Sequence, residues 1–253
     1  MSSLRVLILG GTGEGAAIAR ALEGKAAVTS SLAGRTRRPA ALAGAVRTGG
    51  FGGAEGLARY LREQRIDRLI DATHPFAARI SANAREAAER AGVPRLAVER
   101  PMWRRQPGDR WICLADAAAA ARALAGLPDA VFLTLGPGDL DAFAGLRGRR
   151  FVLRRIDPGS SPLKGAEVVL ARGPFDLAGE RRLFADYGVG TLVTRASGGA
   201  ATEAKIAAAR ERNMPVVMIR RPPPEPGPRV SSVEEAVAWA LSGALSSAGS
   251  GSS

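Results

Sequence analysis

Histidine and cysteine are almost missing from this chain of 253 residues: His74 and Cys113 are each the sole example. One cysteine excludes a disulfide framework and a cysteine-ligated metal centre. One histidine cannot supply the set of imidazoles that a catalytic metal usually takes, so no metal is expected. Any Ser-His-Asp apparatus has to be built around His74. Aromatic residues make up 5%, and there is no aromatic RNA-binding motif, zinc-finger spacing or long basic arm, which argues against nucleic acid as the partner. No apolar run approaches the roughly 20 residues that cross a bilayer, and Leu4–Leu9 is too short for a signal peptide. No Gly-Lys-Ser/Thr occurs, so there is no P-loop. Tyr60 and Tyr187 are followed four residues on by Gln64 and Thr191, which removes the Tyr-x-x-x-Lys chemistry of short-chain dehydrogenases. These absences lead us to expect a reduced, soluble, cytoplasmic protein without a membrane partner.

What the chain has in excess is positive charge. Its formal net charge is +12, and lysine is confined to Lys25, Lys164 and Lys205, so the surplus is nearly all arginine. Part of that bias is compositional. The remainder suggests an anionic partner.

The chain alternates short apolar runs with helical patterns, the signature of βαβ units and parallel sheets. In the first half, strands are expected at Leu4–Leu9, Ala27–Leu32, Ala45–Thr48, Arg68–Ala72 and Arg95–Val98, with helices at Gly13–Glu23, Ala54–Arg65 and Phe76–Ala91 between them. The rhythm breaks near Glu99–Trp103. It resumes with strands at Val131–Leu135, Phe151–Ile156, Glu167–Ala171, Thr191–Thr194 and Val216–Ile219. Helices are expected at Asp116–Leu124, Asp139–Leu146, Leu177–Tyr187, Thr202–Asn213 and Val233–Leu245. The expected fold is α/β, with two Rossmann-like parallel-sheet domains, 1–98 and 99–245, flanking an interdomain cleft. Residues 246–253 read as a disordered tail, and the proline-rich Pro222–Pro228 as a stiff connector.

Leu9-Gly10-Gly11-Thr12-Gly13-Glu14-Gly15-Ala16 stands at the first strand-to-helix turn. Gly11, Gly13 and Ala16 fit G-x-G-x-x-G/A, a loop that brings backbone amides close to a pyrophosphate at a helix N-terminus. A ligand-free glycine turn is the competing reading. After the second strand come Ser30-Ser31-Leu32-Ala33-Gly34-Arg35-Thr36, with no carboxylate. An NAD site usually places an acid there. Hydroxyls and guanidiniums suit a 2′-phosphate and point to NADP, or else form a solvated basic loop.

Asp71-Ala72-Thr73-His74-Pro75-Phe76-Ala77 follows the fourth strand, and in a doubly wound sheet it shares the glycine loop's edge. His74 either donates a hydrogen bond or proton beside a nicotinamide, or joins Thr73 in capping the next helix and orienting the backbone. In the second half, Arg195-Ala196-Ser197-Gly198-Gly199 and Thr202-Glu203-Ala204-Lys205 form another glycine turn and helix start. Ser197 and the amides after it suit an anion, Thr202 suits a helix cap, and Lys205 either faces substrate or is solvated. Gly136, Arg172 and Gly173 end strands at further glycine turns. Arg154, Arg155 and Arg172 are candidate carboxylate clamps.

These motifs, in order from about Leu4 to Leu241, resemble the precorrin-6A reductases of cobalamin biosynthesis, including the cobalt-precorrin-6A reductases. The resemblance is carried by Leu9–Thr12, Ala33–Thr36, Gly49–Gly53, Asp71–Ala77, Glu99–Pro101, Ala171–Phe175 and Glu203–Ile206. One departure is Gly13-Glu14-Gly15, where similar proteins often carry Thr-Glu-Ala or Ser-Glu-Ala. The resemblance implies NADPH-dependent hydride transfer to C19 of precorrin-6A, a macrocycle rich in acetate and propionate groups. It implies cofactor contacts from Gly10, Gly11, Thr12, Gly13, Glu14 and Gly15, from Ser31, Gly34, Arg35 and Thr36, and from Gly50, Phe51, Gly52 and Gly53. Thr73 and His74 are then the candidate catalytic residues. Gly136, Arg172, Gly173, Arg195, Ser197, Gly198, Gly199, Glu203 and Lys205 are the candidate substrate contacts. Neighbouring pathway enzymes are possible partners. Two other classes stay open: a reductase of another anionic substrate, and a nonenzymatic dinucleotide- or nucleic-acid-binding module.

Overall fold

The computed structural model describes residues 3–34 and 42–244. The expected tail at 246–253, and Arg35 and Thr36 among the candidate site residues, lie outside them. The chain divides into two units, residues 1–100 with 222–253, and residues 101–221.

In the first unit, β1 (Arg5–Leu9), β2 (Ala27–Leu32), β3 (Ala45–Thr48), β4 (Arg68–Asp71) and β5 (Arg95–Val98) alternate with α1 (Gly13–Ala21), α2 (Gly53–Glu63) and α3 (Ala78–Ala91). All strands pair in parallel. Because successive side chains leave a strand on opposite faces, β1 feeds two cores. Val6 and Ile8 pack with Ile18, Leu22 and Trp239 on one side. Leu7 and Leu9 pack with Leu57, Leu61 and Leu69 on the other. A strand buried on both faces reads as a continuous apolar run, which is why it was legible.

The sheet order is β12-β5-β4-β1-β2-β3, where β12 (Arg229–Val230) comes from the far end of the chain. It pairs with β5, and α7 (Val233–Ser242) then packs on α1, β4 and β5. This differs from the expected division at residue 99, which assigned everything up to 245 to the second domain. The β12 strand is two residues long, too short to leave a periodic signal.

The second unit holds β6 (Arg110–Leu114), α4 (Ala117–Ala123), β7 (Ala130–Thr134), β8 (Arg150–Arg155), β9 (Glu167–Leu170), α5 (Leu177–Asp186), β10 (Thr191–Arg195), α6 (Ala204–Glu211) and β11 (Pro215–Ile219). Its parallel sheet runs β6-β11-β10-β7-β8-β9. Edge strand β6 carries an apolar run, Trp111–Leu114, yet no residue of it is buried, because one side of the strand has no neighbour in the sheet. The helix expected at Asp139–Leu146 is a 3₁₀ segment, Pro137–Phe143. Phe132 meets Phe184 edge-on in the core, with centroids 5.8 Å apart. Among the described residues no helix is long and apolar enough to cross a membrane.

Candidate functional site

In the first unit, strand order reverses at β1, whose neighbours β2 and β4 leave by opposite directions. A crevice opens at such a switch point, beyond the carboxyl ends of the strands. The glycine loop occupies that place. Gly10 N–H donates to Ser31 O at 3.0 Å, fixing the loop to β2. Thr12 caps α1 by accepting from Gly15 N–H at 3.2 Å, and its hydroxyl donates to Ala72 O at 2.7 Å. One side chain thus joins the glycine loop to the end of β4. Gly11 has φ +104° and open space around it, a conformation that side chains rarely adopt. A Cβ on Gly13 would meet nothing within 4 Å, and one on Gly15 would lie 3.4 Å from Gly10 Cα and 3.5 Å from Ala72 Cβ. Both positions therefore admit the Thr/Ser and Ala of similar proteins. The Glu14 carboxylate is paired with Arg100 at 2.9 Å, which offsets the negative charge in the first turn of α1.

Beside the loop, Asp71 is buried. Its Oδ1 accepts from Thr73 N–H at 3.2 Å and Thr73 Oγ1–H at 2.7 Å. Thr73 Oγ1 also lies 3.2 Å from Ser81 Oγ, so its hydroxyl is engaged in holding the turn. His74 Nδ1 accepts from Phe76 N–H at 3.2 Å, and His74 O accepts from Ala77 N–H at 2.7 Å. In the neutral ring the proton therefore sits on Nε2. Neither Thr73 nor His74 caps α3; Ala77 occupies that position without a side-chain bond.

The first unit also holds a residue that the sequence reading passed over. Arg47, at the end of β3, donates to Gly49 O at 2.6 Å and Gly50 O at 2.7 Å, and its guanidinium lies 3.7 Å above the Phe51 ring. These bonds shape the loop that carries Gly50, Phe51, Gly52 and Gly53. The signal available was position alone: an arginine two residues before a glycine cluster.

The second unit reverses its order at β7, between β8 and β10. There Arg195 Nε donates to Asp139 Oδ2 at 2.7 Å. A Cβ on Gly136 would lie 3.4 Å from Arg195 Nη1, so Gly136 makes room for that guanidinium. Ser197 N–H and Oγ–H both donate to Arg195 O, at 2.7 and 3.2 Å. Both polar donors of Ser197, one part of the expected anion site, are thus already bonded within the turn. Gly198 has φ +65°, and a Cβ there would lie 2.2 Å from Pro101 O. Arg221 donates to Ala196 O and Ser197 O, both at 2.8 Å, and Trp103 Nε1 donates to Gly199 O at 3.0 Å. Arg195, Ser197, Gly198, Gly199 and Gly136 are therefore brought together. Arg172 and Gly173 are exposed, on the turn before Phe175, whose N–H donates to Ala201 O at 3.1 Å.

Three expectations here change. Arg154 is not a carboxylate clamp for a ligand, because Glu180 already takes it in a buried bidentate pair at 2.7 and 2.8 Å. Its guanidinium also lies 3.9 Å over the Phe175 ring. Thr202 lies in a 3₁₀ turn, and α6 begins instead at Ala204, with exposed Glu203 in the cap position making no side-chain cap. Lys205 is only 4% exposed, and its Nζ donates to Thr134 Oγ1 at 3.1 Å. It is thus held inside the unit, neither solvated nor on the surface. Burial, reinforced by the charge of Arg154 and opposed by Glu180, brings its pKa down to about 7.

The chain is similar to known proteins along nearly its whole length. A family model described as precorrin-6x reductase CbiJ/CobK matches residues 5–241. A precorrin-6A reductase of Rhodococcus erythropolis is 48% identical over 239 residues, covering 93% of this chain and 96% of its own. A cobalt-precorrin-6A reductase of Priestia megaterium is 30% identical over 195 residues, covering 72% and 76%. The solved structure of a CobK precorrin-6A reductase superposes with a TM-score of 0.88 at 40% identity, covering 93% of this chain and 95% of that one.

Proposed function

From its membership of the precorrin-6x reductase family CbiJ/CobK, to which the chain belongs, we propose that this protein reduces precorrin-6A to precorrin-6B with NADPH, in cobalamin biosynthesis. The observation that carries the reading is a glycine loop, capped by Thr12, at the switch point of a parallel sheet, inside a chain 42–48% identical to precorrin-6A reductases. Cobalt-precorrin-6A reductases are 28–30% identical, which favours the metal-free substrate.

The residues of the first unit suit NADPH. Gly11, at a positive φ open to glycine, and the start of α1 offer amides and a positive helix end to a pyrophosphate. Ser31 and Arg47, with no carboxylate on β2 or β3, suit a phosphorylated ribose, to which Gly34, Arg35 and Thr36 contribute. When bound, NADPH would supply the hydride that C19 of the macrocycle accepts, and a proton taken up from solvent would complete the gain of two hydrogens. That ring system is conjugated and already electrophilic, so the protein's task is alignment more than proton donation. Asp71 fixes Thr73, and the turn fixes His74 with Nε2 as its donor, so the imidazole orients the reacting groups. In the second unit, Arg195 and the Ser197–Gly199 turn, with Arg172 and Gly173, meet the carboxylates, while Lys205 supports Thr134. Glu203, exposed at the start of α6, lines the same edge. The reaction takes place in the cytoplasm, without nucleic acid and with neighbouring pathway enzymes as possible partners.

The test is NADPH consumption with precorrin-6A and with its cobalt form, followed by product mass. A gain of two hydrogens with precorrin-6A supports the reading. NADPH oxidation with neither macrocycle refutes it.

A further inference from the structure

The dinucleotide crevice of the first unit has a shoulder formed by the carboxyl ends of β2 and β3. The register pairs Ser31 with Arg47 there, and Ser31 O is the acceptor that anchors Gly10. Arg47 is therefore one strand away from the glycine loop, on the side where a Rossmann sheet receives the adenosine ribose. Its guanidinium is held flat. Nη1 donates to Gly49 O at 2.6 Å and lies 3.4 Å from Ser31 Oγ, while Nη2 donates to Gly50 O at 2.7 Å. One face lies 3.7 Å above the Phe51 ring, and the Tyr60 ring is 5.4 Å away. Tyr60 in turn meets Phe51 edge-on at 5.2 Å. Gly56 permits the platform, because a Cβ there would lie 1.7 Å from Phe51 O.

Electrostatics distinguish this arginine from the other clamped ones. Arg154, Arg195 and Arg210 each pair with a carboxylate. Among the described residues, Arg47 has carbonyl and hydroxyl acceptors but no carboxylate partner. A guanidinium immobilised by neutral acceptors keeps its full charge and has already lost its rotamer freedom. Bonds to Nη1 and one Nη2 hydrogen leave the Nε edge directed away from that clamp. Such an edge suits a phosphate monoester, which it can meet with two parallel charge-assisted bonds.

We propose that Arg47 is the specificity-determining residue that selects the phosphorylated dinucleotide, receiving its 2′-phosphate beside Ser31. This rests on the NADPH reading above and adds to it the residue that discriminates NADPH from NADH.

The test is calorimetric binding of NADPH and NADH to the full-length protein, read as the ratio of their dissociation constants. In Arg47→Gln the preference for NADPH falls by at least about tenfold. In Arg47→Lys, which keeps the charge but loses the planar fork, it falls by a smaller factor. The lysine variant also decides the matter if the glutamine variant does not fold. An unchanged ratio in either folded variant overturns the proposal. So does a parallel loss of both affinities, which would mean that Arg47 only shapes the Gly49–Gly53 loop. A wild-type protein that binds both dinucleotides equally overturns the cofactor reading itself, and is distinguishable because it is seen before any substitution.

Discussion

The two units share a strand order and differ at one turn. Counted outward from the switch point, β3-β2-β1-β4-β5 of the first matches β9-β8-β7-β10-β11 of the second, and each is completed by a sixth strand, β12 or β6, from elsewhere in the chain. After β1 comes a glycine loop and a nine-residue α-helix capped by Thr12. After β7 comes Gly136-Pro137 and a 3₁₀ segment with no side-chain cap. The carboxylate of Asp139 stands in that segment, neutralised by Arg195. A true α-helical N-terminus collects unbonded amides and a positive dipole end, and so favours an anion. The 3₁₀ turn collects neither, and its arginine is a side-chain cation instead. One architecture therefore carries a capped α-helical N-terminus at the switch point of one unit and a 3₁₀ turn with a carboxylate-paired arginine at that of the other. The strand order decides where a site can lie, and the turn decides what it holds.

That contrast can be broken. The largest effect is expected from Gly11→Val, which forces a β-branched residue to φ +104°. NADPH affinity should fall on the order of 100-fold, while Gly15→Ala stays within about twofold because its Cβ makes only ordinary contacts. Undiminished calorimetric binding by Gly11→Val would move the phosphate seat out of the first unit.

Next is Arg195→Met, expected to raise KM for the macrocycle by roughly tenfold or more through a lost charge-assisted contact, with NADPH affinity held. A fall in NADPH affinity instead would end the division of labour between the units. A somewhat smaller loss, about tenfold in kcat, is expected for His74→Ala if the imidazole orients rather than protonates. Complete loss of turnover with intact NADPH binding would make His74 an essential acid.

The smallest effect concerns stability. Lys205 has a folded pKa of about 7, well below the usual lysine value. From about pH 7 upward to the unfolded value the unfolded chain binds the extra proton, so stability rises with pH across that window. Melting temperatures of Lys205→Met and wild type should therefore diverge most in the variant's favour near pH 7 and converge as pH rises toward 9. A pH-independent difference would show that the ammonium is not desolvated.

Much of this was legible without coordinates. The central strands are buried on both faces, so their apolar runs are unbroken, as in Val6–Leu9 and Val216–Ile219. The glycine loop and the Asp71–Ala77 turn were visible because turn chemistry is local. Strand β12 was not, since it is two residues long, and β6 was passed over because its apolar run, Trp111–Leu114, directly follows the segment where the strand–helix rhythm breaks. Arg47, Arg154 and Lys205 were hard to rank among so many arginines and so few lysines, because only their partners give them roles.

By itself, then, the sequence determined the α/β class and the place of the glycine loop at the first strand-to-helix turn, both of which follow from composition and short-range pattern. The tertiary structure decided which arginines pair with carboxylates, as Arg154 and Arg195 do, and which are held by neutral acceptors, as Arg47 is. It also decided that a lysine near a glycine turn is buried, and that the last strand and helix complete the first sheet rather than the second. Those outcomes depend on contacts between residues far apart in the chain, such as Arg154 with Glu180 and Arg229 with Ala97, and no local pattern encodes such a pairing.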